Sequence, residues 1–248
     1  MVGQLDNLVL FRNLKGCVVS SYNDKLWIPE DPKVLEEIER TWKEKGNGLT
    51  NGPLVRVNSM NPDEKNILHV AGQKTDYKSH LGTKDREDLP AESRAMPLYV
   101  AANLITNDNF LVFLLDSSKK DDSITTFAKP VRPNDINGLD FLLQIAIFEK
   151  FGLKVMDFSS YGASFVVREE HDLHPTVVYN FFLNLNQNGI FGIYENHNAL
   201  NKANTHLPHF VGFDRKSLET ELSRRTRFYQ KRTRIIMTEL AKGSYRKA

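Results

Sequence analysis

Apolar residues crowd one stretch of this chain. Between Phe127 and Leu153 a loop rich in Pro, Asn and Asp gives way to a run containing Leu139, Phe141, Leu142, Leu143, Ile145, Ala146, Ile147, Phe148 and Phe151. The pattern predicts a helix that opens near Asn137 and Gly138 and stops at Gly152, where a left-handed cap is wanted. Apolar side chains on every side of a helix call for burial, so most of it is expected inside the molecule.

Around that helix the pattern alternates between strand-like and helical runs. Residues 5–19 suggest one or two short strands with a turn at Asn13–Gly16. A helix follows, with Asp31 as N-cap, Pro32 at its first position, a stripe of Val34, Leu35, Ile38 and Trp42, and a stop at Gly46 or Gly48. Pro53–Met60 and Asn66–Gln73 read as a hairpin. From Thr75 to Pro97 the chain is polar and charged, and an irregular excursion is expected there. Two runs flanking Asn107–Asp108 predict another hairpin, and Val155–Val167 and Thr176–Leu185 read as further strands, with Gly189–Asn196 as a last one. A helix is expected from about Asp214, with Leu218, Leu222, Ile235, Ile236 and Leu240 as its apolar residues. Strands in neighbouring pairs, with few βαβ alternations, favour an antiparallel-rich mixed sheet covered by helices.

Composition narrows the function classes. A net charge of +2 gives no whole-molecule case for nucleic-acid or membrane binding. The single cysteine, Cys17, allows no internal disulfide and no thiolate metal site. No apolar run approaches the ~18 residues of a membrane span, and the first residues lack the basic-then-apolar pattern of a secretory signal. An intracellular, cytoplasmic protein is the expectation.

Scattered motifs then carry a resemblance. Trp42 on a helix, a strand centred on Arg56, the run Thr75–Thr83 (TDYKSHLGT) and the strand pair Leu104–Ser118 (LITNDNFLVFLLDSS) stand in this order. Together with Gly189–Asn196 and the C-terminal helix, they resemble the Nudix hydrolase superfamily, in particular its branch that cleaves UDP-glucose and UDP-galactose. The resemblance implies a Nudix-type α/β/α sandwich with a mixed sheet over residues 96–248. It also implies an N-terminal α+β extension, residues 1–95, packed on that core.

The family signature, GX5EX7REUXEEXGU, needs a loop–helix–loop that aims glutamates at divalent cations on a diphosphate. With Gly152 and Leu153 as its closing pair, the register puts Ile145 in the arginine place, Ala146 in the first metal-ligand place and Lys150 in the last. Val131 and Asn137 replace the opening glycine and the isolated glutamate, and only Glu149 matches. One glutamate supplies little of a Mg²⁺ shell, and Lys150 sets a cation where a dication would sit. The expectation is therefore a catalytically weak or inactive protein that keeps at most a nucleotide or nucleotide-sugar pocket and needs no cofactor. The alternative is a divergent pyrophosphatase that uses Mg²⁺ to split a UDP-sugar into UMP and sugar 1-phosphate.

Further candidates are placed by residue type. Lys129 and Arg132 precede the helix, where a phosphate would be met, and Lys150 could supply a fixed charge in place of the metal. Asp135 and Asp140 could add carboxylates, though Asp135 more simply starts a turn. Tyr77 and Lys78 match the branch motif, with a nucleotide contact or extension docking as their two readings. Glu169 and Glu170 lie in a hairpin loop, the place from which a family base can act. His171, His174, His197, His206 and His209 show no metal-ligand spacing. Finally, residues 224–248 carry +8, and Arg224, Arg225, Arg227, Lys231, Arg232 and Arg234 form a basic stripe there. That stripe could track RNA or an acidic protein, or could be a solvated helix face.

Overall fold

The computed structural model of the chain describes residues 9–116, 123–168, 174–200, 206–225 and 229–243. A strand with every residue buried lies at its centre, β10 (Pro175–Leu183). Strands that are apolar on both faces belong inside a sheet covered on both sides, and β10 runs parallel to β5 (Tyr99–Ile105) and antiparallel to β9 (Phe158–Arg168). The sheet order is β1 (Val9–Phe11), β9, β10, β5, β6 (Phe110–Asp116), β11 (His206–Gly212).

The expected hairpin at Asn107–Asp108 forms, yet β5 and β6 pair only at Leu104–Val112 and Ile105–Leu111. Beyond those pairs the two strands separate. β7 (Ser123–Thr125) continues on β6 and β8 (Phe127–Pro130) on β5. A second sheet, β2 (Gly16–Asn23), β4 (Ile67–Asp76), β3 (Pro53–Pro62), contains the other expected hairpin.

Each face of the large sheet has its own core. On one face Val100, Leu104, Phe127 and Tyr179 pack with Leu143 and Phe151 of α3 (Leu139–Phe151), Ile190 and Tyr194 of α4 (Gln187–Leu200), and Val55 and Val70 of the second sheet. On the other, Ala101, Phe113 and Val178 meet Leu218 of α5 (Arg215–Arg225) and Ile236 and Leu240 of α6 (Lys231–Ala241). The architecture is thus a mixed α/β sandwich with helices on both sides. Cys17 is hydrogen-bonded to Tyr179, and burial pushes its thiol up to about 12.

Helix α1 (Pro32–Lys45) starts at the expected cap, where Asp31 Oδ1 accepts from Lys33 N–H at 2.9 Å, and it ends at Gly46. The polar stretch after Thr75 is less irregular than expected. Asp76 Oδ1 accepts from Ser79 N–H at 2.8 Å and starts a short helix, α2 (Tyr77–Thr83).

Two element assignments fail. Gly189–Asn196 is not a strand but part of α4. Asn186 Oδ1 caps this helix by accepting from Gly189 N–H at 2.9 Å, and Ile190, Ile193 and Tyr194 then recur at helical spacing against the core. The single C-terminal helix is two helices, α5 and α6, separated around Tyr229, which bridges to Ile124.

The central helix ends as its sequence predicts. Gly152 takes φ 76° and ψ 6°, and its N–H returns to the Phe148 carbonyl. Its burial is one-sided, however. Leu139, Leu143, Ala146, Ile147 and Phe151 are buried, while Phe141, Ile145 and Phe148 stay exposed.

Candidate functional site

The last two turns of α3 meet three other elements. Glu149 points outward and pairs with Lys129 Nζ of β8 at 3.1 Å, both side chains being about half exposed. Lys150 Nζ lies 3.4 Å from His206 Nδ1 at the start of β11. His206 is the cross-strand partner of Asp116, a buried residue at the end of β6. On the far side, His197 of α4 donates from Nε2 to the Glu149 backbone carbonyl at 3.1 Å. This histidine also explains Gly152 a second time, since a Cβ there would come within 2.7 Å of the His197 Cβ.

These contacts set the electrostatics of the site. Lys129 meets the Glu149 carboxylate and Lys150 meets the His206 ring, which places two lysine side chains beside the end of α3. The Lys129–Glu149 pair is solvated and stabilises the fold by no more than about 1 kcal/mol, but it does occupy the Glu149 carboxylate. Mg²⁺ asks for several hard oxygen ligands. Ala146 is buried without any polar group to offer, Ile145 is exposed and apolar, and Lys150 is a cation. The residues present therefore do not fit a resident Mg²⁺. Among the described residues no group of three or more His, Cys, Asp or Glu could hold a metal ion.

The other candidates are dispersed. Lys78 pairs with Glu39 of α1, and the Tyr77 ring lies 6.0 Å from that of His80. The Lys78–Glu39 pair docks α2 on α1, the Tyr77–His80 contact lies within α2, and neither is part of the α3 site. Arg56 is buried and spends its guanidinium on the carbonyls of Arg94 and Glu92, each at 3.0 Å, and on Asn58. Arg132 is exposed, and its backbone N–H donates to Asp135 Oδ2 at 3.0 Å. Asp135 thus closes a turn, as expected, rather than facing Glu149. Glu169 and Glu170 lie outside the described residues.

The basic stripe is divided between two helices. Arg224 and Lys231 are exposed, at the end of α5 and the start of α6, and Arg234 is half-buried. Arg227 and the Arg225 side chain lie outside what is described. Arg232 is turned into the protein. Its guanidinium sits 4.6 Å from the Tyr99 ring centroid and donates to His174 Nε2. Two participants in the α3 site, His197 and His206, were visible only as histidines without motif spacing.

No family model matches the chain, and no curated protein matches it either. Solved structures with a related backbone include Tm1382, described as a Nudix hydrolase, at 10% identity and a TM-score of 0.40, over 59% of this chain and 70% of that one. A Nudix hydrolase from Nitrosomonas europaea aligns at 8% identity and a TM-score of 0.37, over 60% of this chain and 90% of that one. A variant of the Bacillus subtilis pyrophosphohydrolase BsRppH aligns at 12% identity and a TM-score of 0.28, over 44% and 63%. Likeness at this level carries no inference about chemistry. Among the described residues no helix is long and apolar enough to cross a membrane.

Proposed function

We propose that this chain is a Nudix-like protein that binds a nucleotide or nucleotide sugar without hydrolysing it. The observation that carries this reading is the pairing of Glu149 with Lys129 beside Lys150. The places that the family signature gives to metal-binding carboxylates hold Ala146, Glu149 and Lys150, and the Glu149 carboxylate is paired with Lys129 from β8. In this reading the lysine ammonium groups meet the diphosphate oxygens directly. His206, within reach of Lys150, orients that side chain. No step passes through a metal.

The resemblance of Thr75–Thr83 and Leu104–Ser118 to the UDP-sugar branch makes UDP-glucose the first ligand to try. Calorimetric titration should show binding that persists in EDTA. Each of Lys129→Ala and Lys150→Ala should weaken it roughly fivefold, the loss of about 1 kcal/mol expected for a half-exposed charged contact. Binding that requires Mg²⁺, or that both substitutions leave unchanged, would overturn the reading. A role for the basic segment in RNA or acidic-protein binding has less support, because Arg232 is already engaged by Tyr99 and His174.

A further inference from the structure

A row of three residues crosses the large sheet on the face opposite α3. Asn103 of β5 is the register partner of Asn180 of β10, and Asn180 is the partner of Gly162 of β9. Every apolar neighbour on this face is a core residue: Ala101 and Ile105 flank Asn103, and Val178 and Phe182 flank Asn180. Two carboxamides are therefore buried, at 1% and 5% exposure, in a surface otherwise built for hydrophobic packing. They make one hydrogen bond between them, from Asn103 Nδ2 to Asn180 Oδ1 at 2.9 Å.

That single bond leaves capacity unused. Asn103 Oδ1 is buried and has no partner among the described residues. Asn180 Nδ2 likewise donates to no described group. Buried polar groups in folded proteins are normally satisfied, and an exception calls for an explanation.

The third member of the row supplies one. Gly162 puts no side chain beside Asn180, and a Cβ placed there would meet nothing closer than the Lys15 carbonyl at 4.0 Å. The missing side chain opens onto a cavity of about 690 Å³ lined by Asn180, Phe182, Ser160, Tyr161 and the Asn13–Lys15 turn. This volume lies within the range of small-molecule sites, roughly 300–1,000 Å³. Among the described residues, the only formal charge on its lining is Lys15, which is exposed.

We infer that this cavity is a second ligand site, separate from α3, which takes a neutral planar heterocycle of the nucleobase class. A carboxamide whose oxygen is already engaged still offers its N–H groups as donors. Asn180, with its donor directed to the ligand and its acceptor held by Asn103, selects a base edge carrying a carbonyl or ring nitrogen. Phe182, on the same face as Asn180, supplies an aromatic wall against which such a ring lies. Gly162 is the specificity-determining position, because any larger residue fills the space in front of Asn180.

The test is ligand-observed NMR and titration with uridine, cytidine, adenosine and guanosine, against the full chain and two variants. Gly162→Val suits a strand and requires no positive φ. Ser160→Trp alters an exposed position at the cavity wall and keeps the test open should the first variant misfold. At least one nucleoside is expected to bind at millimolar or lower concentration. Its affinity should fall at least tenfold in whichever variants keep the wild-type thermal midpoint. Absence of binding by all four nucleosides, or undiminished binding in a folded variant, would overturn the inference.

Discussion

Replacing Phe151 with alanine is expected to lower the unfolding free energy by about 3–5 kcal/mol, the range for removing a fully buried phenylalanine. Phe151 is fully buried at the last position of α3, one residue before the left-handed cap at Gly152. Its ring meets Phe127 of β8 edge-on at 5.0 Å and Tyr194 of α4 at 5.8 Å. One side chain thereby ties the central helix to the strand before it and to the helix packed beside it. Truncation loses both the buried area and the two ring contacts, and neighbours drawn from two separate elements cannot both close the gap. Urea unfolding monitored by circular dichroism measures the loss. Glu149→Gln, two residues away on the exposed side of the same helix, should shift stability by less than about 0.5 kcal/mol in the same experiment. The contrast separates what holds α3 in place from what it presents to solvent.

Arg12→Ala is the second large expected effect, at about 2–3 kcal/mol, toward and below the low end of the range for breaking a buried ion pair. Glu239 of α6 is only 1% exposed, and its carboxylate accepts from Arg12 Nε and from a second guanidinium nitrogen at 3.1 Å. Arg12 itself remains 41% exposed, so water recovers part of what its removal costs. The interaction joins the turn after β1 to the helix that covers the sheet face behind it. Replacing both partners, Arg12→Met with Glu239→Leu, should recover most of the stability, because no buried carboxylate is then left without its counter-charge. A double variant as unstable as Arg12→Ala would show that the loss comes from packing rather than charge.

How much of this could be read from the chain depended on whether local chemistry and tertiary packing agreed. Helix α1 was legible because Asp31 and Pro32 mark its start and Gly46 its end, all within one turn of the residues concerned. The same held for Gly152 at the end of α3. Helix α4 was misread because Gly189 and Gly192 punctuate a run of isoleucine and aromatic residues that favours strand. The packing of Ile190 and Tyr194 beneath α3 decided otherwise. The C-terminal basic run looked like one helix, since charge and apolar spacing alone do not show that the chain breaks around Tyr229.

The site was legible in part. Counting back from Gly152 isolated Glu149, and both Lys129 and Lys150 were named by residue type. That Lys129 pairs with Glu149 follows only from the path of β8 alongside α3. Asn180 left a faint signal as an asparagine inside an apolar strand. Its partner Asn103, 77 positions earlier, is brought beside it only by parallel pairing of β5 and β10.

The central proposal is that Lys129 and Lys150, rather than a catalytic metal held by Glu149, meet the phosphates of a ligand at α3. Release of UMP from UDP-glucose in the presence of Mg²⁺ tests it most directly. The expected result is release by the wild-type chain no faster than in the protein-free control. Mg²⁺-dependent turnover that Glu149→Gln abolishes would contradict the account.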